Sequence, residues 1–194
     1  MDIDPVDSAH ALEGPALVRI ARAAITSALG LPQAAAAGQE APWLQQPGAS
    51  FVTLTQHGRL RGCIGSLTPW RALGEDARAN AVAAALRDSR FVPLSPGELD
   101  KTRVEVSVLS AQEPLEFDSE AQALCLLQPG LDGVVLECGR LRSTFLPQVW
   151  EQLPTAREFM AHLKQKAGLP ADFWSPELRL WRYSVHKFKE VDPP

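Results

Sequence analysis

The sequence predicts an α+β fold: two β–α repeats, an internal duplication, sharing one barrel-like and mostly antiparallel sheet with helices packed on its outside. Three observations predict it. Apolar and polar residues alternate at Phe51–Gln56 and at Thr102–Ser110, the period of half-buried strands. Leu17, Ile20, Ala21, Ala24, Ile25 and Ala28 recur at helical spacing. The tetrapeptide Gly-Arg-Leu-Arg stands at 58–61 and again at 139–142, each time within the order hairpin, proline-led helix, strand.

In chain order, residues 1–11 read as a lead-in and 12–29 as a helix, with Pro15 in its first turn and Gly30 and Pro32 as its stop. Residues 31–49 hold an alanine run and read as a long connection with one helical turn. Phe51–Gln56, the break His57-Gly58 and Arg59–Ser66 then form a β-hairpin. Thr68-Pro69 is an N-cap followed by a first-turn proline, which starts a helix running to Arg87 with Ala77, Ala81 and Ala84 as a small-residue stripe. Ser95–Leu99 reads as a helical turn and Thr102–Ser110 as a strand with Val104, Val106 and Val108 on one face. A helix is expected over 119–127, closed by Pro129-Gly130. The pattern then returns: strand Gly133–Cys138, turn Gly139-Arg140, second arm Leu141–Phe145, a helical start near Val149, and a helix from Thr155, where Thr155 and Glu158 form a capping box. Leu178–Phe188 alternates as one long strand. A single domain over 12–189, with repeats at about 50–110 and 131–189 and a tail at 190–194, is the organisation expected.

Along the second hairpin arm, period-two alternation places Leu60, Gly62 and Ile64 on one face and Arg59, Arg61 and Cys63 on the other. If the leucine and isoleucine face the core, the thiol shares its side with guanidinium groups. Cations beside a thiol favour its thiolate form and raise its reactivity. The flanking glycines leave room for something to approach the backbone closely. The same residues also fit plain packing, since a free cysteine commonly serves as a small buried hydrophobe. On the duplicate register Cys63 corresponds to Thr144, so the repeated fold does not itself require the thiol.

The chain has 194 residues and a formal net charge of −4, which argues against broad nucleic-acid binding. Six arginines (59, 61, 71, 78, 87, 90) nevertheless fall between Arg59 and Arg90, a local cationic region suited to a small anionic ligand or simply to a solvated face. The three cysteines, Cys63, Cys125 and Cys138, lack the spacing of a zinc site or a disulfide framework. No metal and no cofactor are expected. No apolar run approaches the ~20 residues of a membrane span, and the acidic start Met1-Asp2-Ile3-Asp4 is unlike a secretory signal, so a cytoplasmic protein is expected.

Five ordered blocks carry a resemblance. They are Phe51-Val52-Thr53-Leu54 with Arg61-Gly62-Cys63-Ile64-Gly65, then Asp88-Ser89-Arg90-Phe91, Val106-Ser107-Val108-Leu109, Phe145-Leu146-Pro147-Gln148-Val149 and Lys166-Ala167-Gly168-Leu169. Together they resemble the AMMECR domain family, known in bacteria and archaea as AmmeMemoRadiSam system protein A, over about 12–189. The resemblance implies two β–α repeats in one barrel-like sheet, and partners that are Memo-like and radical-SAM-like proteins. It names no activity.

Two functions stand open, with a third behind them. The first is a non-catalytic, accessory component that binds an anionic small molecule through Arg61, Arg90 and Lys166, with Asp88 holding Arg90 and Ser66 at the end of the motif. Glu105, Ser107 and Tyr183 are further candidates for a cleft beside the sheet. The second is an enzyme using Cys63 as a nucleophile, for which His10, His57, His162 and His186 are the histidines on offer as a base. RNA modification is the weakest of the three, given the acidic balance.

Overall fold

The structure, a computed structural model, describes residues 5–32 and 41–190. Parts of the expected lead-in, long connection and tail (1–4, 33–40 and 191–194) lie outside the described residues. The fold is α+β, with antiparallel sheets and helices. The chain divides into two compact units, Met1–Leu109 with His186–Pro194, and Ser110–Val185. Among the described residues no helix is long and apolar enough to cross a membrane.

The first unit opens with helix α1 (Pro5–Ala28), which starts inside the expected lead-in and carries Pro15 within it rather than in its first turn. Strands β1 (Pro47–Gln56) and β2 (Arg59–Gly65) form the expected hairpin. His57 and Gly58 both have positive φ, 50° and 73°, as a tight two-residue turn of this hand requires. Thr68-Pro69 starts no helix. Residues 71–72 are drawn instead into a short strand β3 (Arg71–Ala72) against Pro47 and Gly48, so α2 (Leu73–Leu86) begins with Ala72 at its N-cap. A 3₁₀ turn (Pro96–Lys101) leads to β4 (Thr102–Leu109). The last strand, β9 (Val185–Lys189), completes a sheet ordered β2-β1-β4-β9. Leu17, Ile25, Val52, Leu54, Val104, Val106 and the alanines of α2 make its core.

The hairpin departs from strict alternation at one place. Leu54 pairs with Gly62 but Thr55 pairs with Leu60, so Arg61 is the extra residue of a bulge. A bulge reverses the facing of what lies beyond it, and Leu60, expected in the core, is 45% exposed. Gly62 does face inward, packed beneath α2, and Ile64 packs on the core.

The second unit holds β5 (Glu113–Leu115), α3 (Glu120–Leu126), β6 (Gly133–Cys138), β7 (Leu141–Phe145), α4 (Ala156–Lys166) and β8 (Arg179–Tyr183), with the sheet ordered β5-β8-β6-β7. Thr155 caps α4 as expected, accepting from the Glu158 N–H while its hydroxyl donates to the Glu158 carboxylate. Phe159 stacks on Trp150 with centroids 3.9 Å apart, over a core of Val134, Leu136, Leu163 and Leu180. The strands thus form two open sheets among the described residues, not one closed barrel. The expected long strand 178–188 is the point of difference: it breaks at Ser184, and its halves enter different sheets.

Candidate functional site

Cys63 lies on β2, the edge strand of the first sheet, on the face away from α2. An edge strand exposes unpaired N–H and C=O groups, and at Cys63 one ion pair takes both. The Cys63 N–H donates to Asp88 Oδ2 (2.9 Å), and Arg90 Nη2 donates to the Cys63 carbonyl (3.1 Å). Arg90 also grips Asp88 with Nε on Oδ1 (2.9 Å) and Nη2 on Oδ2 (2.7 Å). The Arg90 side-chain hydrogen bond holds the Asp88 carboxyl far below the usual carboxylate range; burial opposes this, and the Cys63 N–H adds to it. The Cys63 side chain is half-buried, and Thr53 Oγ1 donates to its sulfur at 3.4 Å.

The other cations are less free than their sequence positions imply. Arg61 is 11% exposed and directed onto Glu98, with Nε on Oε1 at 3.1 Å. That bond, with the N–H and hydroxyl of Ser95, pushes the Glu98 pKa down to about 2. The Phe91 ring is within reach of both guanidiniums, Arg61 at 6.0 Å and Arg90 at 5.6 Å from its centroid, which brings the two pairs into one cluster. Glu105 shares a cross-strand row with Cys63 through Thr53 and pairs with Lys189 at 3.5 Å. Ser107 stands opposite Phe51, one row along.

Ser66 belongs to a different arrangement. Its hydroxyl donates to Asp76 Oδ1 (2.7 Å), inside a buried polar cluster in which Asp76 also accepts from Arg71 Nε, Asn80 Nδ2 and both the N–H and hydroxyl of Ser50. Sequence reading singles out neither Asp76 nor Asn80. The available signal is that two polar residues at i and i+4 interrupt the buried small-residue face of α2. Lys166 and Tyr183 lie in the second unit. Lys166 Nζ donates to the Thr144 carbonyl (2.9 Å), and the Tyr183 hydroxyl bonds Thr144 Oγ1 (3.0 Å) and donates to the Phe145 carbonyl (3.1 Å). Burial pushes the Tyr183 pKa up. The candidate cluster is therefore Cys63, Asp88, Arg90 and Phe91, with Arg61 and Glu98 beside it. Of the histidines, His57 occupies the hairpin turn and the His10 side chain lies outside the described residues.

The AMMECR1 family profile matches residues 18–188, a span that includes every residue of this cluster. The chain belongs to the AMMECR1 family. A Methanothermobacter thermautotrophicus protein is 41% identical to this AMMECR1 chain, covering 92% of it and 94% of the relative. Protein MJ0810 of Methanocaldococcus jannaschii is 35% identical, covering 93% and 92%. Among solved structures, that of the uncharacterized protein PH0010 from Pyrococcus horikoshii is 34% identical, with a TM-score of 0.76 and 91% of each chain covered. No group of three or more His, Cys, Asp or Glu side chains positioned for a metal occurs among the described residues of this AMMECR1 chain.

Proposed function

We propose that this AMMECR1-family chain is a non-catalytic, accessory component of the cytoplasm that binds an anionic small molecule at Cys63 and acts with Memo-like and radical-SAM-like proteins. Arg90 carries the reading. Its side chain is 54% exposed, yet Asp88 and the Cys63 carbonyl fix its guanidinium against the main chain of the half-buried Cys63. A cation already held in place loses little freedom when it takes an anion. Arg61, spent on Glu98, shapes the site through Phe91 rather than meeting the ligand.

We propose further that the two units are copies of one plan. The orders β2-β1-β4 and β7-β6-β8 match, and both hairpins begin their second arm from Gly-Arg-Leu-Arg. On that register the second copy has Thr144 where the first has Cys63, which marks Cys63 as a specialisation of one copy. The Thr53 hydroxyl on Sγ and the nearby Arg90 favour a second reading, Cys63 as nucleophile.

One experiment separates the readings. Phosphate- and carboxylate-bearing metabolites are screened by thermal shift, and iodoacetamide labelling of Cys63 is timed with and without each hit. A binder is expected to raise Tm and slow Cys63 labelling, with both effects lost in Arg90→Ala. A wild type that no such metabolite stabilises overturns the binding reading. A stoichiometric mass increase at Cys63 from the metabolite itself replaces it with the nucleophile.

A further inference from the structure

The second unit contains a slot unrelated to Cys63. Strand β5 pairs with β8 as far as Leu115 opposite Leu180 and then ends, whereas β8 is paired on its other side through Arg179 opposite Glu137. Where β5 leaves β8, a slot of about 320 Å³ opens between segments 114–118 and 174–181. That is the small end of the ~300–1,000 Å³ typical of ligand sites, the scale of a single amino acid.

Its apolar wall is set firmly. The Phe117 and Trp174 rings meet at 5.6 Å and 53°, and the buried Leu178 lines the slot with them. The Trp174 ring is braced by Lys164 Nζ at 5.5 Å from its centroid, and Lys164, its side chain only 2% exposed, is fixed by Glu120 at 2.6 Å. A wall held in this way needs no reorganisation to receive a ligand.

The charges around the slot are opposed. Glu116 and Asp118 line it from the β5 side, and Arg179 from the β8 side. All three are exposed, and none forms an ion pair among the described residues. Opposite charges that border one slot without meeting leave a gap for a molecule carrying both signs. We propose that this slot binds a free, zwitterionic α-amino acid with a large apolar side chain. The ammonium faces Glu116 and Asp118, the carboxylate pairs with Arg179, and the side chain lies against Phe117 and Trp174. The proposal is independent of the anion site at Cys63.

Isothermal titration of the full chain tests it, with L-phenylalanine and L-leucine as probes beside two analogues. Phenethylamine lacks the carboxylate, and 3-phenylpropionate lacks the ammonium. L-phenylalanine is expected to bind saturably, and each analogue about tenfold or more weaker, since each loses one charge-assisted contact. Arg179→Gln brings L-phenylalanine down to the level of phenethylamine and leaves phenethylamine unchanged. The double change Glu116→Gln with Asp118→Asn does the converse, weakening phenethylamine and sparing 3-phenylpropionate. These side chains are exposed, and an unchanged Tm confirms that each variant folds. No saturable heat with either amino acid at millimolar concentration overturns the proposal, as does phenethylamine binding as tightly as L-phenylalanine.

Discussion

Arg61 is the unpaired residue of the β2 bulge, and it lies against Glu98 and Phe91 rather than open solvent. Its charge is therefore answered before any ligand arrives, and so is the charge of Glu98. In the folded chain Glu98 takes up its proton only near pH 2, against its ordinary 4.5. Between those values the unfolded chain binds the extra proton, so stability rises with pH through the window. Glu98's contribution is complete above about 4.5 and lost as the pH falls toward 2. Asp88, also depressed, acts with the same sign and extends the loss to lower pH. Glu98→Gln is expected to flatten the dependence of stability on pH from about 5 down to 2, measured as urea midpoints at successive pH values. A variant slope equal to that of the wild type would remove Glu98 from the account. The sequence offered Arg61 and Asp88 as candidates, and Asp88 does hold Arg90. It offered no means of seeing that Asp88 also holds the Cys63 N–H, because that contact joins residues 25 apart and needs the edge position of β2.

At the scale of elements, β2 can lie this close to α2 only because residue 62 is glycine. A Cβ there would stand 2.2 Å from the Ala84 carbonyl oxygen, and backbone cannot swing aside as a side chain does. In the sequence the alanine stripe marks a helix able to lie close to a sheet, and at Gly62 the atoms it brings close are those of the Ala84 backbone. The bulge was not readable, since the residues on either side of it alternate equally well with or without it. A Cβ at Gly65 would instead meet the half-buried Phe51 side chain, 2.2 Å from its Cγ, and that side chain can swing to another χ1 rotamer. Gly62→Ala is therefore expected to cost about 1–3 kcal/mol or more, and Gly65→Ala distinctly less. Chemical denaturation of both variants checks the ranking. If Gly65→Ala proved the costlier, the packing of α2 on β2 would not be what excludes a side chain at 62. Two carboxylates at the ends of the same helix support this packing. Asp76, in its first turn, binds Ser66, and Asp88, just past its end, binds Cys63, so α2 and its flanks hold the motif strand at both ends.

For the whole molecule, the decisive residue is Ser184. The run Leu178–Phe188 alternates without interruption, and alternation reports only that each residue faces the opposite way from the last. It does not report which neighbour a strand pairs with, so one long strand and two short ones read alike. In the structure the Ser184 carbonyl accepts from the Ser110 N–H, and its own N–H donates to the Ser110 hydroxyl, both at 3.0 Å. These bonds mark where β8 ends and β9 begins, and the expected single sheet becomes two, each with its own hydrophobic cluster. Leu54 is fully buried in the first cluster and Leu163 in the second. Replacing either by alanine is expected to cost about 2–5 kcal/mol. With separate clusters, the loss should be local. Native-state hydrogen exchange should show Leu163→Ala lowering protection first in β6, β8 and α4, and Leu54→Ala first in β1, β4 and α2. Equal loss of protection in both sets from either substitution would mean that the sheets open together, as strands of one shared sheet do, and that the break at Ser184 divides the hydrogen bonding without dividing the stability.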